Sequence, residues 1–342
     1  MRILTITLII LLSLFKIEPS KAQYLTEIID PNIKTVQVFA NQTPSTFPCI
    51  YINNNEQISI EFDDINTKYS RYLRYKIIHC DENWNDEQLF PSTFIEGFQD
   101  QPISGYTPSN NTSIKYNHYS INFPNSNIKP KISGNYLVII YENDPETPLL
   151  KAGFMVAEKL AMQAAGVTIP TSNNYETSHQ ISLTVSHLIP NVVNPTQEFK
   201  ARVWKNYVEI PDVLQPKIVT YDQRILKYSR PDKNIIPAGN EYRTIDIRDA
   251  HYISTNAVSV KQTQGEYFVL LRPDKPRNNQ PYTKNYDHNG KFIITGTNTP
   301  SPSVDCDYYN VMFSLQCPNY GSDYDVYIEG ELTGWKPSNN KK

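Results

Sequence analysis

The 342-residue sequence lacks the motifs on which several large enzyme classes depend. It contains no G-x-S-x-G nucleophile turn, no phosphate-binding P-loop and no G-x-G-x-x-G dinucleotide loop. The six histidines are scattered, and only His179 and His187 lie close to one predicted strand, a spacing that does not indicate zinc. We therefore predict a protein that is not an enzyme and that needs no metal and no cofactor.

A surplus of charge of either sign is also missing. The chain has 32 Lys and Arg against 35 Asp and Glu, and the longest basic run is the terminal Lys341-Lys342. Nucleic-acid binding depends on concentrated positive charge, so no nucleic-acid partner is expected.

Acidic residues occur close together without forming a recognisable site. Asp63 and Asp64 are adjacent on a predicted strand, where neighbouring side chains point to opposite faces, so we predict solvated turn residues rather than an acid pair. The pairs Asp305/Asp307 and Asp323/Asp325 lack the Gly and distal Glu of a calcium loop, and we expect solvated strand ends there.

Long apolar runs are absent outside the N-terminus. Arg2 precedes a predominantly apolar segment from Ile3 to Phe15, which is too short to cross a hydrocarbon layer of about 30 Å. This pattern predicts a signal peptide over residues 1–22, cleaved between Ala22 and Gln23. No cysteine lies near that site, so we expect a mature chain outside the cytoplasm without direct membrane insertion.

Four cysteines leave few disulfide options. Cys306 and Cys317 flank the alternating run Tyr309 to Leu315, which predicts one strand and places them about 35 Å apart at about 3.3 Å per residue. A disulfide needs Cα atoms within about 7 Å. Cys49 and Cys80 could pair across neighbouring strands, and the alternative is free, buried thiols.

Short strands separated by Pro, Asn and Gly clusters dominate the chain, and helical periodicity is almost absent. This pattern predicts an all-β fold of tandem β-sandwiches, immunoglobulin-like or early-set in kind. The first sandwich is expected over residues 23–158, with a central strand at Tyr136 to Tyr141 and a half-exposed one at Tyr119 to Phe123. Its other predicted strands are Thr35 to Phe39, Ile58 to Phe62, Tyr72 to His79, and one through Phe154 and Val156.

The pattern weakens between Glu158 and Glu176, where we predict a domain boundary. A second sandwich is expected over residues 176–297, a linker follows, and the start of a third, early-set-like domain is expected over 305–342. The predicted strands of the second sandwich are Ile181 to Val185, Phe199 to Trp204, Lys217 to Val219, Tyr242 to Ile247, Val258 to Val260, Tyr267 to Leu271 and Phe292 to Ile294.

The last segment has only two predicted strands, Tyr309 to Leu315 and Tyr324 to Ile328, which cannot form a stable fold alone. We favour a fragment of a larger domain over the alternative that the segment adds to another sheet. Tyr324 to Gly330, followed by Trp335, is similar to early-set domains that bind starch or glycogen in some enzymes. An exposed Trp335 could stack on a sugar, and the alternative is plain packing.

Several motifs together resemble the plug proteins of the type IX secretion system. The most specific are Phe62, Asp63 and Asp64; His79, Cys80 and Trp84; Gly97 and Phe98; Tyr116 to Tyr119; Pro124 and Asn125; Gly134, Asn135 and Tyr136; and Asn240, Glu241 and Arg243. Each also has a local structural explanation. We expect Trp84 and Phe98 to anchor the core. Glu241 and Arg243 are expected on one strand face, where a charge pair could tie strands together, and the alternative is that both are solvated.

The resemblance implies a non-enzymatic periplasmic protein at the inner side of the outer membrane. It would bind the periplasmic mouth of the outer-membrane type IX translocon barrel and seal the pore when no cargo carrier is engaged. An alternative is an exported module that binds carbohydrate or handles polysaccharides. An exported glycoside hydrolase has less support, because no paired carboxylates are identifiable.

The cysteine prediction can be checked directly. Peptide mapping under non-reducing conditions should find no bridge between Cys306 and Cys317, because a continuous strand keeps them apart. A bridge between them would show that a turn interrupts Tyr309 to Leu315.

Overall fold

The computed structural model describes residues 26–69, 71–170, 176–210, 217–218, 224–228, 234–239, 241–249, 253–277, 287–297, 299–316 and 326–335, and these are nearly all β. The helical segments are single turns, namely α1 (Pro91–Phe94), α2 (Pro195–Glu198), α3 (Pro302–Asp305) and the 3-10 turn Glu331–Thr333. The strands are β1 (Thr26–Ile28), β2 (Ile33–Ala40), β3 (Cys49–Tyr51), β4 (Ile58–Asp64), β5 (Arg74–Cys80), β6 (Ile95–Gly97), β7 (Asp100–Pro102), β8 (Thr107–Pro108), β9 (Asn117–Phe123), β10 (Ile128–Pro130), β11 (Gly134–Tyr141), β12 (Leu150–Ala157), β13 (Ala161–Thr168), β14 (Ser178–His187), β15 (Val203–Lys205), β16 (Val208–Ile210), β17 (Lys217–Ile218), β18 (Ile225–Tyr228), β19 (Ile235–Pro237), β20 (Ala257–Thr263), β21 (Glu266–Leu271) and β22 (Tyr309–Met312).

Two sheets face each other in the first part of the chain. One has the order β1-β12-β11-β5-β7, with β3 added in parallel to β12, and the other has the order β2-β4-β9-β8. A small β6-β10 ribbon accompanies them. The predicted all-β fold is confirmed, and each strand predicted for this part is present, with β11 in the interior of its sheet as expected.

Alternation along the central strands builds one core between these sheets. Ile58, Ile60 and Phe62 of β4 and alternate residues of β11 are fully buried, while Ser120 and Asn122 of β9 face water. The rings of Phe62 and Tyr119 stack with centroids 5.1 Å apart. Burying large apolar side chains supplies the main stabilising free energy of such a sandwich.

The predicted boundary region contains a strand that the sequence pattern does not reveal. β13 pairs antiparallel with β14 along its whole length, in a five-stranded sheet of order β13-β14-β18-β17 with β19 on β14. Both faces of β13 are largely exposed, so it has no alternation of apolar and polar residues. The limits of the predicted domains remain a prediction.

Other segments of the second half differ from expectation. Residues Tyr242 to Ile247 and Phe292 to Ile294 form no strand, and the strand predicted from Phe199 begins only at Val203. β22 adds in parallel to β21 of the β20-β21 hairpin, which is the less favoured of the two alternatives for this segment. The sequence did not favour this pairing because parallel strands are joined by long connections, so local sequence patterns do not show that β21 and β22 are neighbours.

The described cysteines are free thiols. Cys49, Cys80 and Cys306 form no disulfide, whereas Cys317 and the predicted signal peptide with Ala22 and Gln23 lie outside the described residues. The possible Cys49–Cys80 bridge is wrong, because β12 and β11 lie between β3 and β5 in the sheet.

Within the described ranges, no helix is long and apolar enough to cross a membrane.

Two phenylalanines of the family motifs have opposite environments. Phe62 is buried between the sheets, but Phe98, expected as a core anchor, leaves 78% of its surface exposed. The expectation for Phe98 was therefore wrong, because the residue follows the short strand β6 at the edge of the sandwich.

This contrast gives a matched pair of substitutions. Phe62→Ala should lower the free energy of unfolding by about 3–5 kcal/mol, since it leaves a cavity in the core. Phe98→Ala should change it by less than about 0.5 kcal/mol, as expected for an exposed position. Urea unfolding followed by fluorescence measures both values, and equal losses would contradict the described core.

Candidate functional site: a buried polar junction

The carboxylates Asp63 and Asp64 end β4 in the interior of the protein. Their exposed fractions are 3% and 0%, so the expectation of solvated turn residues was wrong. The strand continues through both residues because β9 pairs with them on one side and β2 on the other. They do point to opposite faces, as predicted, and each has its own charged partners.

Asp64 lies beside a buried guanidinium. Arg71 Nε is 3.4 Å from Asp64 Oδ2, and Arg71 Nη1 is 2.8 Å from Asp30 Oδ2. Glu142 Oε2 lies 4.0 Å from the same Nε, so one cation faces three carboxylates. Burial raises the pKa of Asp64 although Arg71 and the backbone N–H of Asn66 oppose the shift. Such a cluster ties together the ends of several loops and strands.

Asp63 lies at the junction between the first sandwich and a later segment. His118 Nδ1 is 2.8 Å from Asp63 Oδ1, and the Tyr308 hydroxyl donates to Asp63 Oδ2 at 2.7 Å. The Tyr308 hydroxyl also contacts Thr35 Oγ1. Each oxygen of the buried carboxylate therefore has a donor, and one donor comes from a residue 245 positions away.

Further hydrogen bonds fix the segment around Tyr308 to the sandwich. The Tyr116 hydroxyl donates to the carbonyl of Cys306 at 2.9 Å, and the backbone N–H of Asn110 donates to the carbonyl of Val304 at 2.8 Å. The Ser113 N–H donates to Asp307 Oδ1 at 2.5 Å. Asp305 and Asp307, expected as solvated strand ends, instead accept hydrogen bonds at this junction.

The junction is polar and incompletely packed. A cavity of about 2240 Å³ lies beside it, lined by Ile33 and Asp63 of the sandwich and by Phe292, Tyr308 and Phe313 of later segments, among others. Gln37 Nε2 donates to the carbonyl of Phe292 at 2.9 Å near the same contact. Directional bonds, rather than a continuous apolar core, hold the two parts together here.

A second group of motif residues meets at the far ends of β5 and β11. The strand register places Tyr136 opposite His79 and Asn135 opposite Cys80. His79 Nδ1 is 2.6 Å from Glu87 Oε2, and its Nε2 is 3.2 Å from the carbonyl of Ser133. Two sequence motifs 54 residues apart thus form one cross-strand unit.

Glycine is required at one position of this unit. Gly134 has φ +146°, and a Cβ there would lie 2.2 Å from His79 Nε2. The Tyr136 hydroxyl donates to the carbonyls of Ile132 and Phe94, at 2.7 and 3.0 Å. Asn135 Nδ2 donates to the carbonyl of Asp81 at 2.8 Å, at the loop that carries the buried Trp84. These contacts fix the backbone where the ends of β5 and β11 meet.

The later motif residues are arranged differently from expectation. Arg243 pairs with Asp274 and donates to the carbonyl of Lys275 at 2.9 Å, instead of forming a charge pair with Glu241. The carbonyl of Glu241 accepts from Arg277 at 3.0 Å, and Asn240 lies outside the described residues. The sequence could not show this exchange, because no strand holds these residues in register.

Trp335 serves as packing. It is buried, with ring centroids 5.7 Å from Tyr207 and 6.1 Å from Tyr242, and Gly290 approaches its ring closely. The possibility of an exposed sugar platform at Trp335 is therefore wrong.

In the described part of the chain, no group of three or more His, Cys, Asp or Glu side chains is arranged to hold a metal ion.

Comparison with known proteins finds a match for the part of the chain that carries most of these motifs. Residues 33–158 match the family model of the type 9 secretion system plug protein 1st domain. This part of the chain is similar to the first domain of those plug proteins. The resemblance predicted from the motifs is thereby confirmed for the first sandwich. A search of curated proteins gives no match.

A solved structure extends the similarity to almost the whole chain. The crystal structure of a hypothetical protein from Parabacteroides merdae ATCC 43184 is similar with a TM-score of 0.84 and 28% sequence identity. The similarity covers 94% of this chain and 81% of that protein. The arrangement of the plug-family domain with the segments after it therefore recurs in another protein.

The Asp63 junction should make stability depend on pH. Burial by itself lowers the pKa of His118, but the hydrogen bond and charge of Asp63, with Glu61, raise it overall above the usual 6.5. A raised pKa means that the bond stabilises the fold fully below about pH 6.5 and that this contribution is lost as pH rises through the folded-state pKa. Urea unfolding between about pH 5 and pH 8 should show this loss.

His118→Gln should remove this component, since an amide does not titrate. The control is His179→Gln, which changes an exposed histidine of β14 and should leave the pH profile unchanged. An unchanged profile in the His118 variant would show that the pair does not contribute to the pH dependence.

Proposed function

We propose that this protein is a non-enzymatic plug that binds the periplasmic mouth of the outer-membrane type IX translocon barrel and seals its pore when no cargo carrier is engaged. The observation that carries the proposal is the match of residues 33–158 to the first domain of plug proteins. The protein would lie in the periplasm, peripheral to the outer membrane, after cleavage between Ala22 and Gln23.

The physical requirements of a plug agree with the described fold. A plug contributes occlusion alone, so it needs a body that keeps its shape against the mouth of a wide pore. The sandwich supplies such a body through its large apolar core. The Asp63 junction holds the following segment against it through bonds from Tyr308, Tyr116 and Asn110.

The motif residues support a structural rather than a chemical role. Asp63 and Asp64 point to opposite faces and are both engaged with partners from the protein. The bonds of His79 and Tyr136 fix the strand ends that Gly134 brings close together. None of these arrangements offers two free carboxylates to one substrate, as glycoside hydrolysis requires.

Carbohydrate binding, the alternative, loses its main support in the structure. It depended on the early-set motif and on exposed aromatic side chains, but Trp335 of that motif packs against Tyr207 and Tyr242. No other described feature favours a sugar ligand over a protein partner, so the plug is the better-supported function.

Deletion of the gene should make the outer membrane leakier to small solutes. Loss of a passive plug opens an aqueous path through the barrel, while carrier assembly can continue. Uptake of antibiotics that the outer membrane normally excludes measures the effect, and a plasmid copy of the wild-type gene should reverse it.

The control strain lacks both the plug and the barrel and should regain a tight membrane, because the path itself is gone. Normal permeability in the single mutant, or a leak that persists in the double mutant, would contradict the proposal.

Pull-down of the mature protein from envelope extracts should recover the large barrel protein. Recovery of glycan instead would support the carbohydrate-binding alternative.

A further inference from the structure

The strand β13 forms an edge of the five-stranded sheet. Among the described residues it pairs with β14 alone. In an antiparallel pair, every second residue directs its N–H and C=O away from the neighbouring strand. The outer side of β13 therefore presents a row of backbone donors and acceptors that only another strand can pair completely.

Devices that protect natural sheet edges are missing from this strand. Ala161–Thr168 contains no charged residue and no proline, and its register with β14 is continuous, without a bulge. Apolar side chains in the strand and directly beside its ends are open to solvent: the exposed fractions are 79% for Met162 and 63% for Val167 within it, and 55% for Leu160 and 73% for Ile169 beside it. A long, uncharged, apolar edge is a template for strand addition.

The distribution of large and small residues fits a second copy of the same strand. Leu160 and Met162 lie on one face near the start, and Val167 and Ile169 lie on the other face near the end. The remaining positions of Ala161–Thr168 hold Ala, Gln, Gly and Thr, which are mostly small. Each face thus has a bulky end and a small end.

We propose that two copies of this protein associate through β13, paired antiparallel about a twofold axis at Ala164. That alignment places Met162 opposite Gly166 of the second copy, Leu160 opposite Thr168, and Val167 opposite Ala161. Leu160, Met162 and Val167 then each face a small side chain, Ile169 lies opposite Lys159 of the second copy, and no like charges meet within the strand. The two five-stranded sheets become one continuous sheet.

The chemistry of the edge favours this occupant over an unrelated strand. A closed twofold pair uses the same surface on both copies and leaves neither β13 edge open. The uncharged strand carries no pattern that would select a differently charged partner. The inference does not depend on the proposed plug function. It uses the edge of the five-stranded sheet that contains β13, which lies outside the sandwich matched by the family model.

Charges at the twofold axis test the pairing. Ala164 is exposed, so Ala164→Lys and Ala164→Glu should fold normally, as circular dichroism can verify. Each variant alone should dimerise at least about fivefold more weakly than the wild-type mature chain, because like charges meet directly across the strands. An equimolar mixture of the two should regain dimers. Analytical ultracentrifugation over a concentration series measures all three samples.

Ala164→Thr is the matched control, since it changes the same position without adding charge and should still dimerise. Hydrogen exchange should show alternate amides of β13 becoming protected as the wild-type concentration rises. A wild-type chain that stays monomeric at its highest soluble concentration would overturn the proposal. So would a dimer that Ala164→Lys leaves intact, or an open-ended series of oligomers.

Discussion

A buried carboxylate requires donors that the protein itself provides, and Asp63 is the clearest case in this structure. Its two oxygens are satisfied by His118 on the neighbouring strand and by Tyr308 from a distant segment. Removing one partner of such a buried pair typically costs about 3–5 kcal/mol, because the remaining charge stays out of water. The position of the Tyr308 segment is therefore linked to the stability of the sandwich.

The same constraint explains why two adjacent aspartates can both be structural. Strand geometry sends Asp63 and Asp64 to opposite faces, so each must be satisfied separately, one by His118 and Tyr308 and the other near Arg71. Asp63 accepts hydrogen bonds on both oxygens, and Asp64 lies beside the buried guanidinium of Arg71. The most conspicuous acidic motif of the sequence thus belongs to the architecture of the domain.

Strand positions in the first sandwich could be predicted because apolar residues there alternate or run together, as in β9 and β11. The partners of its polar residues could not, because they come from far away in sequence: Arg71 for Asp30, His118 for Asp63, and Tyr308 for the same carboxylate. For β13, the strand itself could not be predicted from the sequence. It belongs to a sheet by backbone pairing alone, and its exposed faces leave no hydrophobic period to detect.

The first sandwich and the contact with the Tyr308 segment are held together by different kinds of interaction. Its apolar core holds its shape without help from a partner, whereas the contact with the Tyr308 segment depends on directional bonds beside a large cavity. Directional bonds are lost abruptly when geometry changes, while apolar contacts weaken gradually with the area exposed. Strain at the junction would therefore break these few bonds first and leave the core of the sandwich intact.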